Sequence, residues 1–394
     1  MDKKPKVFVG VSGGVDSSVA LALLKNEGYD VTGVFLKVWA PDFLPCDWRE
    51  ERRSAMRVCA TLDVPFITLD CEAEYKKEVV DYMIREYSEG RVPNPDVFCN
   101  KYVKFGVFLK KALEMGADYV ATGHYAQVKE NLLNRDSSGD SRSRVGESER
   151  AESLRGDACS ARDTVNKNFQ LYESVDNEKD QSYFVYTLGQ HELSHALFPI
   201  GHMTKPEVRK LAHKFGLPTA TKKDSQGLCF IGKIDMKEFL THYIETKEGE
   251  VLNTKGEVIG FHDGAIFLTI GQRHGFTVTK KSGDDPRYFV VSKDLEKNTV
   301  TVGSKESDGD KINSIKEIVL KDLHLISGNE KDIENKISVR IRYRQQKQTC
   351  KVKKETDGYH VVFDEPQSGI AVGQSAVFYD GEVCVGGSII EKVL

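Results

Sequence analysis

The seven residues Ser12-Gly13-Gly14-Val15-Asp16-Ser17-Ser18 constrain this chain more than any other stretch. They follow residues 6–11, which read as a short apolar strand, and precede residues 19–24, which read as the apolar face of a helix closed by Gly28. Two glycines let the main chain approach an oxyanion closely and the serines add hydroxyl donors. A helix start at 16–18 turns unpaired N–H groups and the positive dipole end toward that anion. The string is not a Walker loop, since no Gly-Lys-Ser/Thr follows, nor a dinucleotide fingerprint, since G-x-G-x-x-G is absent. A ligand-free glycine turn would explain a lone Gly-Gly; the full string after a buried strand reads as a phosphate cradle.

Strand and helix signals alternate beyond it. Residues 31–38, 65–69 and 119–122 read as strands, and 49–61, 72–87 and 102–115 as helices. This alternation predicts a parallel sheet covered on both faces, with ligands at the carboxyl ends of its strands. The cradle, Leu36 and Gly123-His124 all sit at such ends, so one nucleotide could touch all three. At 394 residues the chain exceeds the usual single-domain size. From about residue 250, short β-rich runs separated by turns such as Asp263-Gly264, Asp357-Gly358 and Asp380-Gly381 predict one or two small β-barrels. Residues 129–168 break the pattern: between 135 and 163 lie seven serines, six arginines and seven acidic residues. So little apolar material predicts a solvated, disordered insertion.

A net charge of −4 argues against a uniformly basic nucleic-acid binder. Residues 340–354 nevertheless carry seven basic side chains and no acidic one, with Tyr343 between two arginines. Such a stripe either contacts phosphates while the aromatic stacks, or is a solvated strand face. No apolar run approaches a membrane span, and the first strand begins too early for a signal peptide, so a cytoplasmic protein with no membrane partner is expected. The eight cysteines show neither C-x-x-C nor zinc spacing, so a cysteine with a role works as a thiol. Two loops present one: residues 91–100 (RVPNPDVFCN), where Pro93 and Pro95 stiffen the backbone around Asp96 and Cys99, and residues 224–232 (DSQGLCFIG), where glycines bracket Cys229. Each cysteine alone reads more readily as a small buried hydrophobe, the commoner role. Beside a nucleotide cradle the balance turns, because an adenylated carbonyl needs a nucleophile, and cysteine suits an incoming sulfur.

SGGVDSS resembles the PP-loop of the ATP pyrophosphatases. The ordered set SGGVDSS, PNPDVFCN, ATGHY, KDQSYF, KKDSQGLCFIG, TIGQRHG, RYRQ and GQSAVFYDGEVCVGGSII resembles the bacterial tRNA-specific 2-thiouridylases over nearly the whole chain outside 129–168. That resemblance implies an N-terminal α/β PP-loop domain (1–237), a small central β domain (238–308) and a C-terminal β-barrel that contacts tRNA (309–394). It implies ATP with Mg²⁺, adenylation of the 2-oxygen of a wobble uridine in tRNAs of the Lys, Glu and Gln type, and sulfur transfer from a persulfide on Cys229. Cys99 would resolve the mixed species and leave a Cys99–Cys229 disulfide, while Asp96 serves as general acid/base. Asn94, Pro95 and Asp96 would hold a base flipped from its stack. ATP contacts fall on Gly10, Val11, Ser12, Gly13, Gly14, Val15, Asp16, Ser17, Leu36 and Gly123. Leu36 stands where methionine is common, a change that leaves adenine stacking open. Contacts to tRNA fall on His124, Lys179, Asp180, Gln181, Arg342, Tyr343 and Gln374. A persulfide donor, either a cysteine desulfurase or a sulfur-relay protein, and a monomeric state are also implied. Among alternatives, a PP-loop amide synthase would share the cradle without needing both cysteines. An iron–sulfur thiolase should show further paired cysteines, and a non-catalytic RNA-binding module would not require SGGVDSS.

Overall fold

A computed structural model describes residues 4–43, 48–132, 167–223, 236–279, 287–304, 315–334 and 337–394. The first four strands are β1 (Lys6–Gly10), β2 (Asp30–Lys37), β3 (Phe66–Asp70) and β4 (Tyr119–Ala121). A hairpin follows, β5 (Ala126–Leu132) and β6 (Lys167–Glu173), and then β7 (Ala196–Leu197). Strands β1 to β4 with β7 form one parallel sheet in the order β3-β2-β1-β4-β7. Alternate side chains of β1 serve opposite faces. Val7 and Val9 enter one apolar cluster with helices α1 (Val15–Asn26), α2 (Trp48–Thr61) and Lys205–Lys214, while Phe8 enters another with the helical stretches 72–88 and 95–114. Such two-sided burial is what an apolar, β-branched strand in a parallel sheet requires.

Two helices differ from the sequence reading. The one expected over 72–87 winds through π turns at Lys76–Asp81. The one expected over 102–115 starts seven residues earlier, where Asn94 caps the first turn by accepting from the Val97 N–H at 3.4 Å and Pro95 occupies the first helical position. A proline pair that reads as a stiff loop is therefore in part a helix start, and Cys99 opens nine residues of π-helix, Cys99–Val107.

The central sheet comprises β8 (Gly249–Leu252), β9 (Val258–His262), β10 (Phe276–Val278), β11 (Tyr288–Asp294) and β12 (Thr299–Ser304), in the order β10-β9-β8-β12-β11. The C-terminal strands are β13 (Ile315–Leu320), β14 (His324–Leu325), β15 (Ile337–Arg340), β16 (Gln348–Glu355), β17 (Gly358–Gln367), β18 (Ser375–Asp380) and β19 (Val383–Val393). Six of them close into a barrel, because β13-β17-β16-β15-β18-β19 returns to β13. The β5–β6 hairpin is welded to this barrel, with Tyr172 opposite Val383 and Leu171 opposite Cys384. Residues 129–132 and 167–168, assigned to the insertion by composition, are thus paired strand. Residues 133–166, with Cys159, lie outside the described residues, as do Cys46, residues 305–314 and the Cys229 loop. Among the described residues no helix is long and apolar enough to cross a membrane.

Candidate active site

The sheet order reverses between β1 and β4, and the loops leaving these two strands line the crevice where ligands of such sheets bind. The cradle leaves β1. Gly14 is the N-cap of α1, no side chain caps it among the described residues, and the first intrahelical bond runs from the Ser18 N–H to the Gly14 carbonyl at 3.3 Å. The amides of Val15, Asp16 and Ser17 therefore face the crevice end without intrahelical acceptors. Gly13 is left-handed (φ +77°), and a Cβ there would stand 2.6 Å from the Glu51 carbonyl oxygen, so α2 packs directly on the loop. From the β4 side, Gly123 approaches so closely that a Cβ would lie 2.5 Å from the Ser17 nitrogen and 2.7 Å from the Asp16 carbonyl carbon. A glycine is needed at both positions for the chain to close on an anion.

Charge at the cradle comes from residues that the sequence did not single out. Lys205, buried at the start of its helix, donates to both carboxylate oxygens of Asp16 at 2.7 and 2.8 Å, and the Tyr125 hydroxyl donates to one of them at 2.9 Å. Lys222 donates to the Gly13 carbonyl at 3.0 Å and pairs with Glu51 at 2.6 Å, and Ser54 Oγ donates to the same carbonyl at 3.1 Å. These partners lie 41 to 209 residues away in sequence, where no spacing rule reaches. The unpaired amides and the hydroxyls suit the polyphosphate of ATP, while the two ammonium groups, paired with Asp16 and Glu51, brace the loop. Mg²⁺ fits less directly, since both oxygens of Asp16 are already engaged by Lys205. Leu36 is buried in the apolar cluster that also contains Phe8 and Cys99.

Cys99 is buried in that same cluster. Its neighbour Asn100 donates from Nδ2 to the Phe184 carbonyl at 2.9 Å, while Asn100 Oδ1 is buried with no partner among the described residues. The preceding loop is tied to the barrel: the Val92 N–H donates to the Val372 carbonyl at 2.8 Å, and Gln374 Nε2 donates to the Val92 carbonyl at 3.0 Å. Cys229, expected to bear the transferred sulfur, and with it the expected Cys99–Cys229 pairing, lies outside the described residues.

The positions carried over as tRNA contacts divide into an inner and an outer group. His124 is buried: Lys104 Nζ, which can only donate, stands 3.3 Å from Nε2, so Nδ1 carries the proton and donates to Thr122 Oγ1 at 2.6 Å. Burial and the nearby Lys104 charge hold its pKa well below the usual histidine value. Asp180 is buried too, accepting from the Ser174 and Ser182 N–H groups and pairing with Arg340 at 2.6 Å. Arg340 also reaches Glu173 at 2.6 Å, so this member of the basic stripe is spent on carboxylates of the hairpin region rather than offered to phosphate. Gln181 exchanges two hydrogen bonds with Tyr125, the residue that braces Asp16. The outer group is Tyr343, packed 4.5 Å from the Phe184 ring with the Arg344 guanidinium over its face, and Arg342, which donates to the Gly369 carbonyl.

Three family models match consecutive parts of the chain: a tRNA methyl transferase HUP domain over residues 5–233, a tRNA methyl transferase PRC-barrel domain over 237–304 and an aminomethyltransferase beta-barrel domain over 315–390. Curated relatives are similar from end to end. The tRNA-specific 2-thiouridylase MnmA of Alkaliphilus oremlandii is 41% identical, covering 100% of this chain and 98% of the relative. Its namesake in Pseudomonas paraeruginosa is 40% identical over 99% and 95% of the two chains, and that of Halalkalibacterium halodurans 41% identical over 100% and 96%. With the cradle, both cysteine-loop sequences and all three domains present in order, the chain belongs to the tRNA-specific 2-thiouridylase family.

Proposed function

We propose that the chain is an ATP-dependent tRNA-uridine 2-sulfurtransferase. The observation that carries this reading is the seating of SGGVDSS against Gly123 at the β1/β4 crevice, in a chain that also presents Asn94-Pro95-Asp96 and Cys99 from a second loop. The free amides of α1 take the polyphosphate, with Lys205 and Lys222 bracing the loop behind them, and Mg²⁺ accompanies it. The uracil 2-oxygen bonds to the α-phosphorus and pyrophosphate leaves. The terminal sulfur of a Cys229 persulfide attacks C2 and AMP departs; the Cys99 thiolate then attacks Cys229 Sγ. This frees 2-thiouridine and leaves a Cys99–Cys229 disulfide, which an external thiol reduces. Asp96 relays the protons. Leu36 and Gly123 contact the nucleoside side of ATP, and Lys179, Arg342, Tyr343 and Gln374 face the tRNA, with His124, Asp180 and Gln181 bracing them from within. Wobble-uridine tRNAs of the Lys, Glu and Gln type are the substrates, a cysteine desulfurase or relay protein loads Cys229, and the enzyme works as a cytoplasmic monomer. The methyl-transfer wording of two family models finds no support at the site, because a pyrophosphate cradle has no part in that chemistry.

The test is ATP–pyrophosphate exchange with and without tRNA, followed by thiolation in the serine variants. Exchange should require tRNA. Cys229→Ser should accept no persulfide, and Cys99→Ser should accept it yet stall before product release. Thiolated tRNA alongside two free thiols after one turnover without reductant would refute the division of labour.

A further inference from the structure

The loop leading to Asp96 and Cys99 is held from three sides at three consecutive residues. Gly90 closes the helix Tyr82–Ser88 in the left-handed conformation (φ +72°), its N–H on the Tyr87 carbonyl at 2.8 Å. Leu295 of the central domain fills the space a side chain there would need. Arg91 pairs with Glu86 at 2.7 Å and with Glu391 of β19 at 3.5 Å, and Val92 is bonded to the barrel through Val372 and Gln374. The third attachment comes from β11: Lys293 Nζ donates to the Gly90 carbonyl at 2.8 Å and to the Leu268 carbonyl at 3.0 Å. Burial pushes this ammonium down to about 8, and both acceptors are neutral main chain. A desolvated charge that among the described residues faces only carbonyls is a costly staple, and a cation at a helix C-terminus recovers part of that cost. Beyond Gly90, Pro93 and Pro95 fix φ at two of the next five residues, so a displacement at Gly90 passes along the segment instead of being absorbed in it.

We propose that Lys293 is a positioning residue for the thiolation centre: by fixing the Gly90 carbonyl, the central domain sets where Asp96 and Cys99 stand. This rests on Asp96 and Cys99 being the reacting groups. Lys293→Met keeps the apolar stem and removes every donor. Its kcat for tRNA thiolation should fall roughly ten- to hundredfold, the effect of a small misplacement of reacting groups, while KM for ATP and for tRNA stay within about twofold. Lys293→Arg, which restores a charged donor, should recover kcat to within about threefold of the wild type. Leu295→Ala removes the packing beside Gly90 but leaves the ammonium, and should hold kcat within about twofold. Should Lys293→Met fail to fold, Lys293→Leu, which likewise carries no donor, takes its place with the same expectation. An unchanged kcat, a loss confined to KM for tRNA, an Arg variant as slow as the Met variant, or an equal loss in Leu295→Ala would each overturn the assignment. Cys99→Ser separates the two readings: full activity there refutes the role of Cys99, whereas an inactive Cys99→Ser beside a normal Lys293→Met refutes only the role of Lys293.

Discussion

The phosphate cradle and the loop bearing Asp96 and Cys99 belong to one proposed reaction, yet they are held in different ways. The cradle is built within the parallel-sheet domain: a strand end, a helix start, one glycine across the crevice and two lysines. The thiol loop is built between domains, with Gly90 tied to the central sheet and Val92 to the barrel. A buried ion network, Arg340 with Asp180 and Glu173, joins the barrel to the β5–β6 side of the first domain. The difference teaches that, in the proposed reaction, nucleotide activation would need one domain in order, whereas sulfur transfer would need three in register.

Damage to the cradle should give the largest effect. Gly123→Ala puts a methyl group 2.5 Å from the Ser17 nitrogen, so the PP-loop must move. Pyrophosphate exchange should fall by about a hundredfold or more, with folding little affected. Arg340→Met attacks the joint instead. It leaves the buried Asp180 without its cation, while Glu173 keeps Lys347, and should destabilise the protein by about 3–5 kcal/mol in urea unfolding. Exchange per folded molecule should be preserved; a loss as deep as in Gly123→Ala would break the distinction between the two regions.

His124 sharpens the comparison through pH. Its folded pKa lies well below 6.5, so as pH falls through 6.5 the unfolded chain takes up a proton that the folded chain does not. Stability should therefore drop below that point by about 1.4 kcal/mol per pH unit from this group, and be fully retained above it. Unfolding measured at about pH 7 and about pH 5.5 should show a shallower decline in His124→Gln. The smallest effect is expected from deleting residues 135–163 with a short Gly/Ser closure. The β5–β6 stem stays paired, and so polar a segment adds little to a core; melting should shift by no more than corresponds to about 0.5 kcal/mol. A large drop would show that the segment packs.

By itself the sequence determined the elements whose signals are local. An apolar β-branched run, a Gly-Gly-x-Asp-Ser turn and an apolar helix face fix a strand, an anion-binding loop and a helix within about twenty residues, because dihedral freedom, side-chain period and orphan amides are properties of near neighbours. The same locality made the Asp-Gly turns of the barrel legible, and the ordered motifs carried the family. Only the tertiary structure decided which charges meet. Lys205 finds Asp16 across 189 residues, Lys222 finds Gly13 across 209 and Arg340 finds Asp180 across 160. Before folding, each of these lysines and arginines is one solvated cation among 56. The basic stripe shows the consequence: seven charges along 340–354 read either as a phosphate-contacting surface or as a solvated strand face, yet β15 sends Ile337 and Val339 into the barrel core and turns Arg340 the other way onto carboxylates, while Tyr343 and Arg344 follow in the turn beyond the strand. Which side of a strand is buried depends on what lies against it, and that is settled by chain segments too distant in sequence for any local pattern to record.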